Sequence, residues 1–134
     1  MQLCLYYPSL GYYSAGSQKL GPLGDFTTSP EISSLFSQTL ARQLQDASKQ
    51  LDSFDLLEFG AGSGKMAIDI LLQLEEDNAL PSHYYIIEAS ANLQARQLER
   101  ISHAIPHLKN KISWLTSFPL HFTGIILANE VCDA

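Results

Sequence analysis

The segment Phe54-Asp55-Leu56-Leu57-Glu58-Phe59-Gly60-Ala61-Gly62-Ser63-Gly64 constrains the fold more than any other. A short apolar run is broken abruptly by glycines at alternate positions. An amphipathic stretch follows over residues 63–77, with Met66, Ala67, Ile70, Leu71 and Leu74 on one face. The pattern is that of a buried strand, a tight turn and a helix. Glycine lets the backbone turn sharply and approach a ligand with no Cβ in the way. The first amides of the helix lack intrahelical partners and point at whatever occupies the turn.

The same unit recurs downstream. Asn78 and Pro81 end the first helix, and Tyr84-Tyr85-Ile86-Ile87-Glu88 reads as a second strand. Ser90 to His103 is a crossover helix capped by Ser90, Lys111 to Leu115 a third strand, and Gly124 to Ala128 a fourth. Strands alternating with helices predict a parallel sheet. The apolar runs YYII and GIIL suit strands covered on both faces. Upstream, Pro30 suits a first helical position, Ser29 can cap it, and Thr28-x-x-Glu31 fits a capping box. The helix that follows carries one apolar stripe at Ile32, Leu35, Phe36, Leu40, Ala41, Leu44 and Leu51. Residues 1–29 are dense in Gly, Tyr, Ser and Pro and read as a loop of the kind that forms lids or binding segments.

Composition narrows the function. The 134 residues suffice for one domain. Acidic residues outnumber basic ones, 14 to 8, and no Lys/Arg block occurs, which disfavours capture of a nucleic-acid backbone. Charged residues make up 16%, below the roughly 25% usual in soluble domains, so some surface is expected to meet a partner or further chain. Cys4 and Cys132 have no metal-site spacing, and no metal is expected. No apolar run is long enough to span a membrane, and the N-terminus lacks the basic start and apolar core of a signal peptide.

The glycine loop admits three nucleotide-type readings. A P-loop requires G-x-x-x-x-G-K-[ST]; Gly64-Lys65 supplies part of it, but Phe59 stands at the first glycine and Met66 at the Ser/Thr. A dinucleotide fingerprint requires G-x-G-x-x-G, and here the third glycine comes one residue early. The E/D-x-G-x-G-x-G loop of class I methyltransferases is matched at every position by Glu58, Gly60, Gly62 and Gly64, with Ala61 between the glycines. Glu88, at the end of the second strand, can accept hydrogen bonds from ribose hydroxyls; otherwise it is an ordinary strand-end acid. Ligands of open α/β sheets sit beyond the carboxyl ends of the strands, which places Asn129 and Glu130 near the reacting end of a ligand unless they merely cap the next helix.

Together these segments resemble the MidA family. The similarity runs through YYPSLGYY at 6–13, GDFTTSPEIS at 24–33, LLEFGAGSGKMAIDIL at 56–71, YYIIEAS at 84–90 and ANEVCDA at 128–134. The resemblance implies an α/β Rossmann-like class I methyltransferase fold that binds S-adenosyl-L-methionine. It implies a partial parallel sheet ordered 3-2-1-4, with an N-terminal loop and helix over the cofactor. Gly60, Gly62 and Gly64 would line the methionine part and Glu88 the ribose, with Asp25, Phe26, Thr28 and Ser29 in a motif closing over the site. Glu130 and Asn129 would act at the reacting end. Family members continue beyond ANEVCDA, so residues 1–134 are expected to be a single, C-terminally truncated domain. Residues 1–52 would form its N-terminal loop and helix, and 53–134 its cofactor-binding half. The implied activity is protein (arginine) N-methylation linked to respiratory complex I assembly. The competing class is a non-catalytic assembly or binding module, and a nicotinamide oxidoreductase stands third. The resemblance implies a protein substrate, no nucleic acid or membrane, and a dimer or further C-terminal segment. The expected location is cytoplasmic in a bacterium or the mitochondrial matrix in a eukaryote.

Overall fold

A computed structural model describes residues 28–131. Two helices open it, α1 (Ser29–Ile32) and α2 (Ser34–Ser48). Then follow β1 (Asp55–Phe59), α3 (Lys65–Glu76), β2 (Tyr84–Ile87), α4 (Ala91–Ala104), a 3-10 turn at Lys109–Lys111, β3 (Ile112–Leu115) and β4 (Gly124–Leu127). The four strands form one parallel sheet ordered β3-β2-β1-β4, as the sequence predicts.

Register explains the core. Leu56 and Glu58 of β1 lie beside Tyr84 and Ile86 of β2 and beside Ile125 and Leu127 of β4. Ile112 of β3 lies beside Tyr84. Because strand side chains alternate between faces, all of these share one face. That face packs against Ala41 and Leu44 of α2, Met66, Ala67, Ile70, Leu71 and Leu74 of α3, and Ile101 with Ile105 at the end of α4. Each such side chain, once fully buried, contributes about 1.5–3 kcal/mol if it is Leu or Ile size.

The opposite face is different. The expectation that the strands are covered on both faces does not hold among the described residues. Leu57 is buried, but Phe59, Tyr85, Ile87 and Leu115 are only half-buried and Ile126 is 48% exposed. The connection from β3 to β4, residues 116–123, contains no helix, so this crossover leaves no helical layer there.

Two element boundaries depart from the sequence reading. The helix expected from Pro30 is two helices. Ser33 adopts an extended conformation, φ −152° and ψ 140°, and its hydroxyl accepts the Leu35 amide at 3.2 Å as the N-cap of α2. Neither the Ser29 cap nor the Thr28/Glu31 capping box forms: Thr28 is the N-cap of α1 but makes no side-chain cap bond. Breaking the helix also rotates the stripe. The buried positions on α2 are Ser37, Ala41, Leu44 and Ser48, while Ile32 and Leu35 are exposed. The helix expected from residue 63 begins at Lys65, because Gly64 takes a left-handed conformation, φ 80°, that an α-helix cannot include. Its end follows expectation. Asn78 sits at φ 55°, the Asn78 amide donates to Glu75 and the Ala79 amide to Leu74, the two bonds of a Schellman cap.

Candidate functional site

The carboxyl ends of β1, β2 and β4 converge where β1 gives way to α3. Gly60, Gly62 and Gly64 all have positive φ, at 62°, 55° and 80°. This is the left-handed region that L side chains avoid, so the alternate glycines follow from the path of the backbone. The Gly60 amide still donates to Ile87 across the sheet at 2.9 Å, and the Gly64 amide closes a turn onto Ala61 at 2.8 Å. Among the described residues nothing accepts the amide hydrogens of Ala61 and Gly62. Together with the start of α3 they form a set of donors suited to an anionic or strongly polar ligand group.

Glu58 lies beneath this loop. Its side chain is buried, 1% exposed, and accepts a hydrogen bond from the Tyr84 hydroxyl at 2.8 Å. Burial pushes its carboxyl up to about 7, opposed by the Tyr84 bond and reinforced by the nearby charge of Glu88. A group so enclosed supports the loop from below rather than presenting an oxygen to solvent.

Glu88 follows β2 directly and is half-buried. One oxygen accepts the Ser90 amide at 2.9 Å and the other accepts Nε2 of Gln97 at 3.0 Å. Burial raises its carboxyl above the ordinary range, and those two donors pull it back. Each carboxylate oxygen carries two acceptor positions, so capacity remains for ligand hydroxyls.

The chain after β4 comes back over the loop. A Cβ on Gly60 would lie 3.7 Å from Val131, which places the segment 129–131 beside Gly60. Asn129 is half-buried and Glu130 is exposed. Glu130 holds φ 52°, an uncommon conformation for a residue other than glycine, of a kind that clusters at functional sites.

Thr28 and Ser29 supply the carbonyls that open α1, accepting from Glu31, Ile32 and Ser33. Asp25 and Phe26 lie outside the described residues. The element that ties α1 to the site is instead Glu31, whose carboxylate accepts a short hydrogen bond from the Ser63 hydroxyl inside the glycine loop. The sequence reading assigned nothing to Glu31 beyond a cap, and nothing to Ser63, Tyr84, Gln97 or Trp114 beyond their places in elements. Gln97 on α4 could have been found as a polar residue on the inward helical stripe that contains Ile101 and Ile105.

Lys65 bears on the alternative readings of the loop. Its ammonium pairs with Asp69 one turn along α3, so it is engaged on the helix surface rather than turned back over the loop as a P-loop lysine would be.

Comparison with known proteins identifies the family. A family model described as "Putative S-adenosyl-L-methionine-dependent methyltransferase" matches residues 39–134. The mitochondrial protein arginine methyltransferase NDUFAF7 homolog of Drosophila melanogaster is 30% identical over 159 residues, covering 100% of this chain and 36% of that protein. Mouse mitochondrial protein arginine methyltransferase NDUFAF7 is 40% identical over 74 residues, 53% of this chain and 17% of that protein. A crystal structure from Burkholderia thailandensis with S-adenosyl-homocysteine bound superposes with a TM-score of 0.89 at 40% identity. It covers 97% of this chain, which spans 35% of that one. The chain thus spans about a third of the length of these fuller matches. It belongs to the MidA family of S-adenosyl-L-methionine-dependent methyltransferases.

Proposed function

We propose that this chain binds S-adenosyl-L-methionine at the carboxyl ends of β1, β2 and β4 and supplies the cofactor-binding part of a protein-arginine methyltransferase. The observation that carries the reading is the joint geometry of the positive-φ loop Gly60–Gly64 and the Glu88 carboxylate at the next strand end. The loop offers free amides and room for close approach, which suits the methionine carboxylate. Glu88 offers acceptors for the ribose hydroxyls. The fit extends to Ala61, which is buried and whose amide has no acceptor among the described residues.

S-adenosyl-L-methionine supplies an electrophilic methyl on a sulfonium. Transfer to a guanidine nitrogen releases S-adenosyl-homocysteine and one proton. The residues of this chain bind and orient. Asn129 and Glu130, carried over the loop after β4, stand at the reacting end, where the Glu130 carboxylate can hold a guanidinium by paired hydrogen bonds. Such positioning supplies much of the rate in methyl transfer. Thr28 and Ser29 open α1, which reaches the glycine loop through the Glu31–Ser63 hydrogen bond. The named relatives support a protein substrate, and those from animals support a mitochondrial location if this chain is eukaryotic. No helix among the described residues is long and apolar enough to cross a membrane.

Calorimetric titration with S-adenosyl-homocysteine, and separately with NAD, tests the reading. Binding of the first and not the second is expected. Glu88→Ala should lose about 1.5–3 kcal/mol of affinity, the worth of hydrogen bonds to a charged group. Equal affinity in the Ala variant would remove Glu88 from the ribose site. A non-catalytic binding module would bind the cofactor and yet transfer no radioactive methyl to protein in a lysate, even as the intact protein.

A further inference from the structure

Gln97 is the most connected side chain at the site, although it projects from α4 rather than from a loop. It is completely buried. Its Nε2 donates both hydrogens, one to the Gly62 carbonyl at 3.0 Å and one to Glu88 at 3.0 Å. Its Oε1 accepts the indole N–H of Trp114 on β3 at 2.9 Å. The indole can only donate, and the Gly62 carbonyl can only accept, so the amide has one admissible orientation. All three of its bonds go to different elements. A Cβ on Gly64 would lie 3.6 Å from the Gln97 side chain, so α4 also packs directly under the turn.

We propose that Gln97 is a positioning residue: it locks the glycine loop and the Glu88 carboxylate into a single register for the ligand they share, with Trp114 setting its orientation. The proposal rests on the reading of the loop and Glu88 as the cofactor site. By drawing the Gly62 carbonyl toward α4, Gln97 turns that carbonyl away from the ligand side and keeps the loop's amides as the groups presented. By holding one oxygen of Glu88 while Ser90 holds the other, it fixes the plane of the carboxylate and so the direction of its remaining lone pairs. A half-buried carboxylate stripped of such a donor is more easily protonated, and a protonated acid is a poorer acceptor for ribose. No other side chain on the described residues bonds to both the loop and Glu88.

The test uses the chain as it stands, with Gln97→Met, which keeps length and burial but removes all three hydrogen bonds. Affinity is measured for S-adenosyl-homocysteine and for its 2′,3′-dideoxy analogue. Gln97→Met should weaken S-adenosyl-homocysteine about tenfold or more, and should shrink the difference between the two ligands. A merely structural role would weaken both ligands equally, and that result overturns the proposal. If the parent chain binds no S-adenosyl-homocysteine, the cofactor reading fails by itself, and the positioning claim is decided by hydrogen exchange without ligand. The Gly64 amide, bonded to Ala61, should then exchange about tenfold faster in Gln97→Met while the Gly60 amide, bonded to Ile87, is unchanged. Unchanged exchange at Gly64 overturns it. Should Gln97→Met not fold, Trp114→Phe, which removes the indole N–H together with part of the ring at a half-buried position, carries both measurements with the same expected directions.

Discussion

The Tyr84 hydroxyl donates to Glu58 at 2.8 Å between neighbouring strands, and both side chains are buried beneath the glycine loop. A carboxylic acid in that setting is about half protonated near neutral pH, since burial raises its pKa from 4.5 to about 7. The sign of the stability effect follows. Between those two pH values the native state keeps a proton that the unfolded chain has released, so stability falls as pH rises. The contribution is fully present below about 4.5 and is lost as pH climbs through 7. Glu58→Gln keeps the shape and still accepts from Tyr84. It should be near neutral at pH 4.5 and stabilising by about 3 kcal/mol at pH 8. Urea unfolding of both proteins across this range checks it, and a gap that does not vary with pH contradicts it.

What the sequence made legible was set by period and by backbone chemistry. The alternation of apolar strand and amphipathic helix is local, and it predicted the order β3-β2-β1-β4 once the family resemblance was added. The glycines were legible because positive φ leaves few other choices. The Ser33 break was not, since a serine in a helical stripe is unremarkable until its hydroxyl is seen capping Leu35. The web joining Gln97, Trp114, Gly62 and Glu88 was not legible either. It joins residues from α4, β3, the glycine loop and the end of β2, and only tertiary packing brings them together. The capping-box reading of Glu31 failed for a related reason. Its carboxylate found a distant partner, Ser63, in place of the local backbone amide.

Gly62→Val is expected to separate folding from binding. Gly62 sits at φ 55°, where a β-branched residue is strained by about 1–3 kcal/mol. Gly62 is half-buried and is not part of the hydrophobic core, so the variant should still fold, with a lowered melting temperature. Its affinity for S-adenosyl-homocysteine should drop at least about tenfold, near 1.4 kcal/mol, because the branched side chain stands where the ligand must approach. Unchanged affinity in a folded variant, by calorimetry, would place the ligand elsewhere.

Gly124 makes a different kind of demand. A Cβ there would lie 1.9 Å from the Asp55 carbonyl oxygen, which cannot move without opening the β1–β4 ladder. The restriction comes from close approach of two strands rather than from φ. Gly124→Ala should therefore cost about 1–3 kcal/mol or more, as overpacking against backbone does, and should loosen β4 first. Hydrogen exchange resolves the order: amides of β1 that donate to β4 should lose protection before those between β1 and β2. A variant as stable as the parent would mean that the two strands are less closely apposed.

β4 pairs with β1 along one edge only, and no described strand occupies the other. The Asp55 amide donates to Thr123, so by alternation the Ile126 amide points away from β1 and is open for pairing. The Ile126 side chain is 48% exposed on the face that no described helix covers, and Phe118 and Leu120 are exposed on the connection leading into β4. An apolar strand with an open edge is a template for another strand unless charge or proline blocks it, and β4 carries neither. This chain by itself is therefore expected to self-associate with rising concentration. Ile126→Lys places a charge beside the open edge while leaving the backbone hydrogen bonds between β1 and β4 in place, and should return the chain to a monomer with its melting temperature nearly unchanged. Sedimentation velocity over a hundredfold range of concentration measures both. A parent chain that stays monomeric throughout would show that the β4 edge is already protected.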